Sequence, residues 1–236
     1  MNTENKERQI LINNVSTTLT SRQYRTKMLV WRHSIRMAKL IKRVFDFSCA
    51  TFLLVVLAPV FFITAIAIYM ESPGPVLYSQ TRVGKDGRHF KFFKFRSMII
   101  GADKMKERLM EENESSDGVI FKMKTDPRVT KTGKFIRKFS IDELPQIFNV
   151  LLGNMSLVGP RPALPHEVEH YSLDQRKRLH VVPGITCIWQ VSGRSDIPFS
   201  GQVQLDIEYI QSTSMWQDIV VLAKTIPAVL SGKGAY

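Results

Sequence analysis

Cysteine and acidic residues are both scarce in this chain of 236 residues. Its two cysteines, Cys49 and Cys187, are too few for the disulfide framework of a small secreted domain, and they suit a reducing compartment. Asp and Glu number 21 against 33 Lys and Arg, which gives a formal net charge of +12. This excess predicts an anionic partner, and nucleic acid, phospholipid and a phosphorylated substrate all stay open. The chain also lacks internal repeats, which excludes solenoid architectures.

Charge of either sign is missing from residues 47–70, which read FSCATFLLVVLAPVFFITAIAIYM. These 24 residues exceed the roughly 20 that a helix needs to cross a bilayer core. The run begins too far from the N-terminus for a secretory signal peptide and lacks a small-residue cleavage site. We therefore expect a membrane anchor that is retained.

Two features of this apolar run predict a hairpin, although hydropathy alone favours a straight transmembrane span. Pro59 lies near its middle and removes a backbone donor, so the helix should bend there. Both flanks are rich in Lys and Arg, over residues 22–43 and 82–96. A spanning helix should have its basic side in the cytoplasm only, so we expect the chain to enter, break at Ala58-Pro59 and return to the same face.

The rest of the chain is predicted to divide around this anchor. Residues 1–20 are polar and are expected to be disordered, whereas residues 22–43 fit either an interfacial helix at anionic headgroups or a solvated basic helix. We expect a disordered and basic N-terminal segment at 1–41, a re-entrant membrane helix at 42–71 and a cytosolic domain at 72–236 that carries the chemistry.

Turn residues and residue alternation predict an α+β fold for that domain. Residues 76–80 and 89–93 are candidate strands, and Asp86-Gly87 between them is a good hairpin turn. Helices are predicted at 102–112, at 146–152 between Pro145 and Gly153, at 201–212 and at 216–230, with a loop at 113–118. The expected architecture is a mostly helical domain with a small β-hairpin, anchored by a re-entrant, proline-broken membrane helix and by interfacial amphipathic helices.

The stretch from Gly133 to Pro145 contains adjacent carboxylates, Asp142 and Glu143. Ser140 and Glu143 match the S-x-x-E capping box, which would make Glu143 a helix cap. Pro145, however, prefers the first position of a helix, and a helix beginning there leaves both carboxylates beside free amides that suit an anion. Two carboxylates among bound phosphates need a divalent cation, so Asp142 and Glu143 are candidate Mg²⁺ ligands.

Arg161 is a candidate phosphate ligand because it stands between Pro160 and Pro162. The prolines restrict the backbone around a guanidinium that can bind phosphate through two parallel hydrogen bonds. A plain surface turn is the alternative.

Three further basic residues are candidates for the same task. Lys94 and Arg96 lie two residues apart, so they are expected to share one face of the second strand. Basic and aromatic residues interleaved there also fit single-stranded nucleic acid. Arg194 completes the basic set, with a solvated loop as its alternative.

Residues 166–170 match the zinc-protease pattern H-E-x-x-H, with His166, Glu167 and His170. Pro165 directly precedes the pattern, and Val168 is its one apolar residue, whereas a zinc-binding helix should bury an apolar face. A zinc hydrolase is therefore kept as a minor alternative.

Taken in order, these motifs resemble those of the bacterial sugar transferases, monotopic phosphoglycosyl transferases that start polysaccharide or glycan assembly on polyprenyl phosphate. The resemblance covers Lys42 to Tyr236, and the end of the chain is similar to members that transfer galactose 1-phosphate. It is carried by Lys42-Arg43, Asp46, Gly74-Pro75 and residues 94–98, 126–130, 140–146, 155–162, 183–186 and 192–194.

The resemblance implies a covalent mechanism. Asp142 would attack the β-phosphate of a UDP-sugar, release UMP and hold a phosphosugar that polyprenyl phosphate then removes. Glu143 would assist with Mg²⁺ or with proton transfer. Phosphate or nucleotide would be bound by Lys94, Arg96, Arg137, Arg161 and Arg194, with Pro160 and Pro162 framing Arg161.

The resemblance also implies partners and location. A UDP-sugar carrying galactose or glucose, polyprenyl phosphate and membrane lipids are expected, without nucleic acid, and a homodimer is left open. Members have a re-entrant helix broken at a proline, which Pro59 matches; in some a serine precedes it, whereas here Ala58 does. The expected location is the inner membrane, with the catalytic domain facing the cytoplasm. A membrane-tethered nucleic-acid-binding protein is the non-enzyme alternative.

Overall fold

The structure is a computed structural model that describes residues 21–106 and 126–232. The chain forms two units, Met1–Phe45 and Asp46–Tyr236, and the described part of the first is helical throughout. The second unit is mostly helical and has two small two-stranded sheets. The prediction of a mostly helical α+β fold is confirmed. The predicted disordered tail at 1–20 lies outside the described residues.

The apolar run forms two helices separated by a break. Helix α1 spans Ser21–Val56 and helix α2 spans Ala58–Glu71, with Leu57 between them. The two are bent by 59°. Pro59 lies in the first turn of α2, where its missing N–H breaks no bond of that helix. Within the described residues, only this bent pair, and no individual helix, has the length and apolar character that a membrane crossing requires. The predicted break is confirmed, and the membrane anchoring stays a prediction.

The predicted hairpin is present and longer than expected. Strand β1, Leu77–Val83, pairs antiparallel with β2, His89–Phe95. Asp86 and Gly87 in the connecting turn have φ of 54° and 79°, the left-handed values that favour Asp-Gly. Because opposed residues of a pair share a face, Lys94 and Phe92 face the same way as Tyr78 and Gln80.

The remaining helices and strands follow the hairpin along the chain. They are α3 (Ala102–Lys106), α4 (Lys131–Lys138), α5 (Gln146–Leu152), β3 (Ser156–Val158), α6 (Pro165–Glu169), β4 (Gly184–Thr186), α7 (Ile188–Ser192), α8 (Phe199–Ser212) and α9 (Met215–Ser231). Helices α5, α8 and α9 match the predictions to within two residues. The remainder of the predicted helix at 102–112 and the loop at 113–118 lie outside the described residues. The sequence did not predict the parallel pairing of β3 with β4.

The second limb of the broken helix packs against the segment that carries the two carboxylates. Ile68 of α2, Phe95 of β2 and Ile136 of α4 form one buried cluster, and Ile141 and Leu144 pack against it. Burying such side chains stabilises the fold by about 1.5–3 kcal/mol each. The apolar residues on either side of Asp142 and Glu143 are thereby fastened to α2.

Helix α2 also caps α4. The Glu71 carboxylate at the end of α2 accepts hydrogen bonds from the backbone N–H groups of Lys131 and Thr132, both at 2.8 Å. These are free donors of the first turn of α4, and a carboxylate there also complements the helix dipole. This cap and the apolar cluster fix α4 at both of its ends.

Asp46 attaches α1 to the first parallel strand. Its carboxylate is 4% exposed and accepts hydrogen bonds from the Ser156 hydroxyl at 2.7 Å and the Leu157 N–H at 3.3 Å. A buried carboxylate is tolerated where hydrogen bonds compensate its lost hydration. The acidic residue that ends the basic flank therefore has a structural partner 110 residues away.

A second core around Tyr171 and Phe199 encloses an ion pair. Arg178 Nη2 lies 2.6 Å from Asp206 Oδ2, and the two side chains are 6% and 1% exposed. Arg178 also donates to the Tyr171 hydroxyl at 3.0 Å. Burial raises the pKa of Asp206 to about 6, although Arg178 opposes the shift.

We expect Arg178→Met to lower the free energy of unfolding by about 3–5 kcal/mol, because it leaves the Asp206 carboxyl buried without its cation. The loss should be larger at about pH 8 than at about pH 5, since the carboxyl must be ionised to incur the cost. Denaturant titration of the purified protein at the two pH values measures the free energy of unfolding in each case. The double variant Arg178→Met/Asp206→Leu should recover much of the loss, and a change below about 1 kcal/mol in the single variant would contradict this role.

Candidate functional site

The two carboxylates lie in a tight turn between α4 and α5. Ser140 has a left-handed φ of 53° and ends the approach from α4, and Ile141–Glu143 form one 3₁₀ turn. Pro145 caps α5, which begins at Gln146. The predicted helix start is thus confirmed to within one residue. The capping-box interpretation is wrong, because the Ser140 side chain makes no capping bond and Glu143 binds a lysine.

That lysine is Lys94 of β2. Its Nζ atom lies 2.8 Å from Glu143 Oε1 and 3.5 Å from Asp142 Oδ2. The Asp142 side chain is 8% exposed, whereas Glu143 and Lys94 are about a quarter exposed. In the described ranges, Lys94 is the only cationic side chain within 4 Å of either carboxylate. The structure therefore brings together three of the predicted site residues, of which Lys94 and Glu143 are 49 positions apart in sequence.

Burial and neighbouring charge separate the two carboxyl groups. Burial raises the pKa of Asp142, and the negative charge of Glu143 acts in the same direction; Lys94 and Arg137 oppose the shift without cancelling it. Burial also acts to raise the pKa of Glu143, but the direct bond from Lys94, reinforced by Arg161, lowers it overall. Glu143 is thus the stronger acid, and Asp142 is the more basic carboxylate of the pair.

The loop around Arg161 is packed into the fold and is not a plain surface turn. Pro160 and Pro162 are buried, and Arg161 itself is half-buried. The loop packs so closely on β4 that a Cβ on Gly184 would lie 2.1 Å from the Gly159 nitrogen, which explains the glycine. The surface-turn alternative is wrong, and Arg161 is held where its charge acts on Glu143.

Arg96 directly follows the last residue of β2. Its backbone N–H donates to the Val76 carbonyl at 2.8 Å, one position beyond the Leu77–Phe95 pair, so the strand register that the pattern predicted continues to Arg96. Its guanidinium donates to the Ser72 carbonyl at the end of α2. Gly74 allows this approach, because a Cβ there would lie 2.8 Å from Arg96 Nη1. The Arg96 side chain thus holds the turn between α2 and β1. Phosphate binding by Arg96 stays a prediction.

Arg137 and Arg194 differ in their relation to the two carboxylates. Arg137 is in the last turn of α4, and its positive charge acts to lower the pKa of Asp142. Arg194 lies in a 3₁₀ turn, Arg194–Asp196, with a left-handed φ of 54°. The structure does not bring Arg194 into contact with Asp142 or Glu143, so its role also stays a prediction.

The H-E-x-x-H residues do not form a zinc-binding helix. Helix α6 ends at Glu169, and the Glu167 carboxylate caps it by accepting a bond from the Leu164 N–H at 2.8 Å. His170 Nδ1 lies 2.8 Å from the His166 carbonyl oxygen. Across residues 21–106 and 126–232 there is no group of three or more His, Cys, Asp or Glu side chains arranged to hold a metal ion. The zinc hydrolase alternative therefore has no structural support.

Arg82 and Phe92 belong to the site but were missed from the sequence. Arg82 is 5% exposed, donates to the Pro162 carbonyl at 3.1 Å and lies 5.2 Å from the centre of the Phe92 ring. Lys94 Nζ lies 5.6 Å from the same ring centre. Burial and the nearby charge of Arg161 lower the pKa of Arg82 to about 10. The signal was the two-residue alternation that places Arg82 and Lys94 on one face of the hairpin.

Asp142 and Glu143 supply donors that suit Mg²⁺. Carboxylate oxygens are its preferred protein ligands, and one or two of them usually combine with substrate phosphates. Lys94 contacts one oxygen of each carboxylate, so each group has a second oxygen. The donor set fits the metal, and Mg²⁺ binding stays a prediction.

Comparison with known proteins identifies the family of the chain. Residues 37–232 match the family described as bacterial sugar transferase. The chain is 52% identical over 163 residues to a galactosyl transferase, CpsE, of Streptococcus agalactiae, covering 69% of this chain and 36% of that protein. It is 40% identical over 204 residues to an undecaprenyl-phosphate galactose phosphotransferase of Salmonella typhimurium, covering 85% of this chain and 43% of that protein.

A shorter relative matches over most of its length. The chain is 38% identical over 198 residues to the exopolysaccharide production protein ExoY of Rhizobium meliloti, covering 83% of this chain and 88% of that protein. The chain thus spans 36% and 43% of the two longer relatives and most of this one.

Proposed function

The chain belongs to the bacterial sugar transferase family, and we propose that it transfers a hexose 1-phosphate from a UDP-sugar to undecaprenyl phosphate with release of UMP. The observation that carries the proposal is the buried Asp142 carboxylate, paired with Glu143 and held by Lys94. Galactose and glucose are the sugars in the names of its relatives, and both are candidates here.

In the first step, an Asp142 oxygen attacks the β-phosphorus of the UDP-sugar. A bond forms between that oxygen and phosphorus, the bond from phosphorus to the bridging oxygen breaks, and UMP leaves with the electron pair. In the second step, an oxygen of undecaprenyl phosphate attacks the same phosphorus and releases Asp142. A carboxylate nucleophile thus divides one transfer into two displacements at one site.

The raised pKa of Asp142 supports its choice as the nucleophile, because the more basic carboxylate donates its electron pair more readily. Glu143, which stays ionised, and Lys94 orient the attacking group. Arg137 and Arg161 add positive charge where negative charge develops on the phosphoryl oxygens. Mg²⁺ bound by Asp142 and Glu143 would neutralise phosphate charge.

Dividing the transfer into two displacements also suits the two substrates. The donor is water-soluble and the acceptor is a lipid, so a covalent intermediate means that they need not be bound together. A re-entrant anchor formed by α1 and α2 would hold the site at headgroup height, where the acceptor phosphate lies. The packing of α2 against the residues that flank Asp142 supports this arrangement.

The bend at Leu57 and the two basic flanks support a hairpin topology, in which both ends of the apolar run lie on the cytoplasmic side of the membrane. We expect Lys27→Cys and Asp174→Cys, each made in a Cys49→Ala/Cys187→Ala background, to react with an impermeant maleimide only from the cytoplasmic side. Both positions are exposed, so lack of reaction from outside would not come from burial. Labelling of either cysteine in intact cells would contradict the hairpin.

The proposed reaction is tested by a screen of UDP-sugars for UMP release with undecaprenyl phosphate in detergent or nanodiscs. UMP release and formation of a lipid-linked diphosphate sugar with at least one donor are expected. A purified, folded protein that releases no UMP from any UDP-hexose would overturn the proposal.

A further inference from the structure

Asn149 of α5 lies next to the site without touching either carboxylate, and its side chain is fully buried. The amide oxygen accepts a hydrogen bond from the Phe93 N–H at 3.1 Å. The amide nitrogen donates to the Lys91 carbonyl at 2.6 Å. Both backbone groups belong to β2, on the edge that faces away from β1. One side chain therefore supplies the two bonds that a neighbouring strand would make.

These two bonds join the two elements that carry the site. Strand β2 carries Lys94, the residue directly after Phe93, and α5 begins three residues after Glu143. Because the amide bonds both to Phe93 and to Lys91, β2 cannot slide along α5 without breaking both contacts. In this register Lys94 Nζ lies 2.8 Å from Glu143 Oε1 and 3.5 Å from Asp142 Oδ2.

We propose that Asn149 is a positioning residue, which locks β2 to α5 and so holds Lys94 against Asp142 and Glu143. The inference rests on the proposed function, because it assigns Asn149 a part in arranging the groups of that reaction. Displacing a catalytic group by about 1 Å commonly costs on the order of 10²-fold in rate. Asn149 thus acts on the chemistry through Lys94 rather than through substrate.

The first test needs no substrate. Trace acetylation with acetic anhydride, read by mass spectrometry, measures the reactivity of Lys94 relative to Lys134, which is exposed on α4. In the wild type, Lys94 is ion-paired and three-quarters buried, so it should react slowly. Asn149→Ala should increase its relative reactivity several-fold.

Tyr209→Phe is the matched control. The buried Tyr209 hydroxyl lies 3.1 Å from the Val158 carbonyl oxygen and 2.7 Å from Asp218 Oδ1, so its one proton is shared between two acceptors that belong to neither β2 nor α5. Its loss should lower the unfolding temperature as Asn149→Ala does, yet leave the reactivity of Lys94 unchanged. Asn149→Ser, whose hydroxyl can bond to one of the two backbone groups, replaces Asn149→Ala if the latter does not fold.

The second test is a double-mutant cycle on UMP release in a single turnover. Asn149→Ala should slow release roughly 10- to 100-fold when Lys94 is present. In a Lys94→Met background it should slow release by less than about twofold, because the group it positions is absent. Tyr209→Phe should have the same small effect in both backgrounds.

The outcomes separate this inference from the proposed function. Unchanged reactivity of Lys94 in a folded Asn149 variant, or equal effects of Asn149→Ala with and without Lys94, would overturn the positioning role. If the wild type releases no UMP, the proposed function fails, and acetylation of Lys94 alone decides whether Asn149 positions it.

Discussion

Asp142→Asn is expected to abolish covalent labelling by the donor and to lower turnover by at least about 10³-fold. The amide keeps the size of the carboxylate but is a poor nucleophile. Folding should survive, because burial already raises the pKa of Asp142 and so disfavours the charged form that the substitution removes. A neutral side chain there should leave the unfolding temperature equal or higher at neutral pH. Turnover, labelling and thermal unfolding of one preparation measure all three.

Glu143→Gln is the control for that result. The substitution keeps the size of the side chain and removes the direct ion pair with Lys94, which is 2.8 Å long in the wild type. The reaction should slow while labelled protein still accumulates, because the attacking oxygen belongs to Asp142. Labelling of Asp142→Asn on the same peptide as the wild type would show that another group is the nucleophile.

Removal of divalent cations is expected to stop turnover, and Mg²⁺ should restore it. Asp142 and Glu143 together carry two negative charges when ionised, and Lys94 is the only cation within 4 Å of them among the described side chains. A bound diphosphate adds further negative charge, so the assembled site needs another cation. UMP release in EDTA and after titration with Mg²⁺ measures the dependence.

The unfolding temperature in EDTA is the control for this prediction. It should fall by no more than the small amount that loss of a bound ion removes, because the described contacts that hold the turn around Asp142 are backbone hydrogen bonds, apolar packing and the Lys94 ion pair. Full activity in excess EDTA would reject the metal and leave charge neutralisation to Lys94, Arg137 and Arg161.

Local signals predicted the elements around the site. Pro145 and Gly153 bound α5 where the sequence indicated, because a proline suits a helix start and the left-handed φ of 85° at Gly153 suits its end. Asp86-Gly87 predicted the hairpin for the same kind of reason. The break beside Pro59 is also local, since the missing N–H acts within one turn.

Contacts between distant residues could not be predicted in this way. Lys94 and Glu143 meet across 49 residues, and nothing in either segment alone specifies the register that brings them together. The amide of Asn149 sets that register, and an Asn within an apolar helix has no local signature for bonding a strand edge.

Buried charge was also beyond what the sequence could predict. Arg82 and Arg178 are 5% and 6% exposed, whereas a pattern of charged residues is ordinarily taken to indicate a solvated face. Each is compensated by partners from other segments, the Pro162 carbonyl for Arg82 and Asp206 for Arg178. Such compensation depends on the folded arrangement and cannot be deduced from spacing.

The covalent role of Asp142 is tested most directly by the first half-reaction alone. Wild-type protein is mixed with a UDP-sugar labelled in the β-phosphate, without any lipid acceptor, and both UMP and protein-bound label are quantified. The account predicts at most one UMP per active site, with an equal amount of label on the peptide that contains Asp142. UMP release that begins only when undecaprenyl phosphate is added, with no label on the protein, would contradict it and indicate direct transfer between bound donor and acceptor.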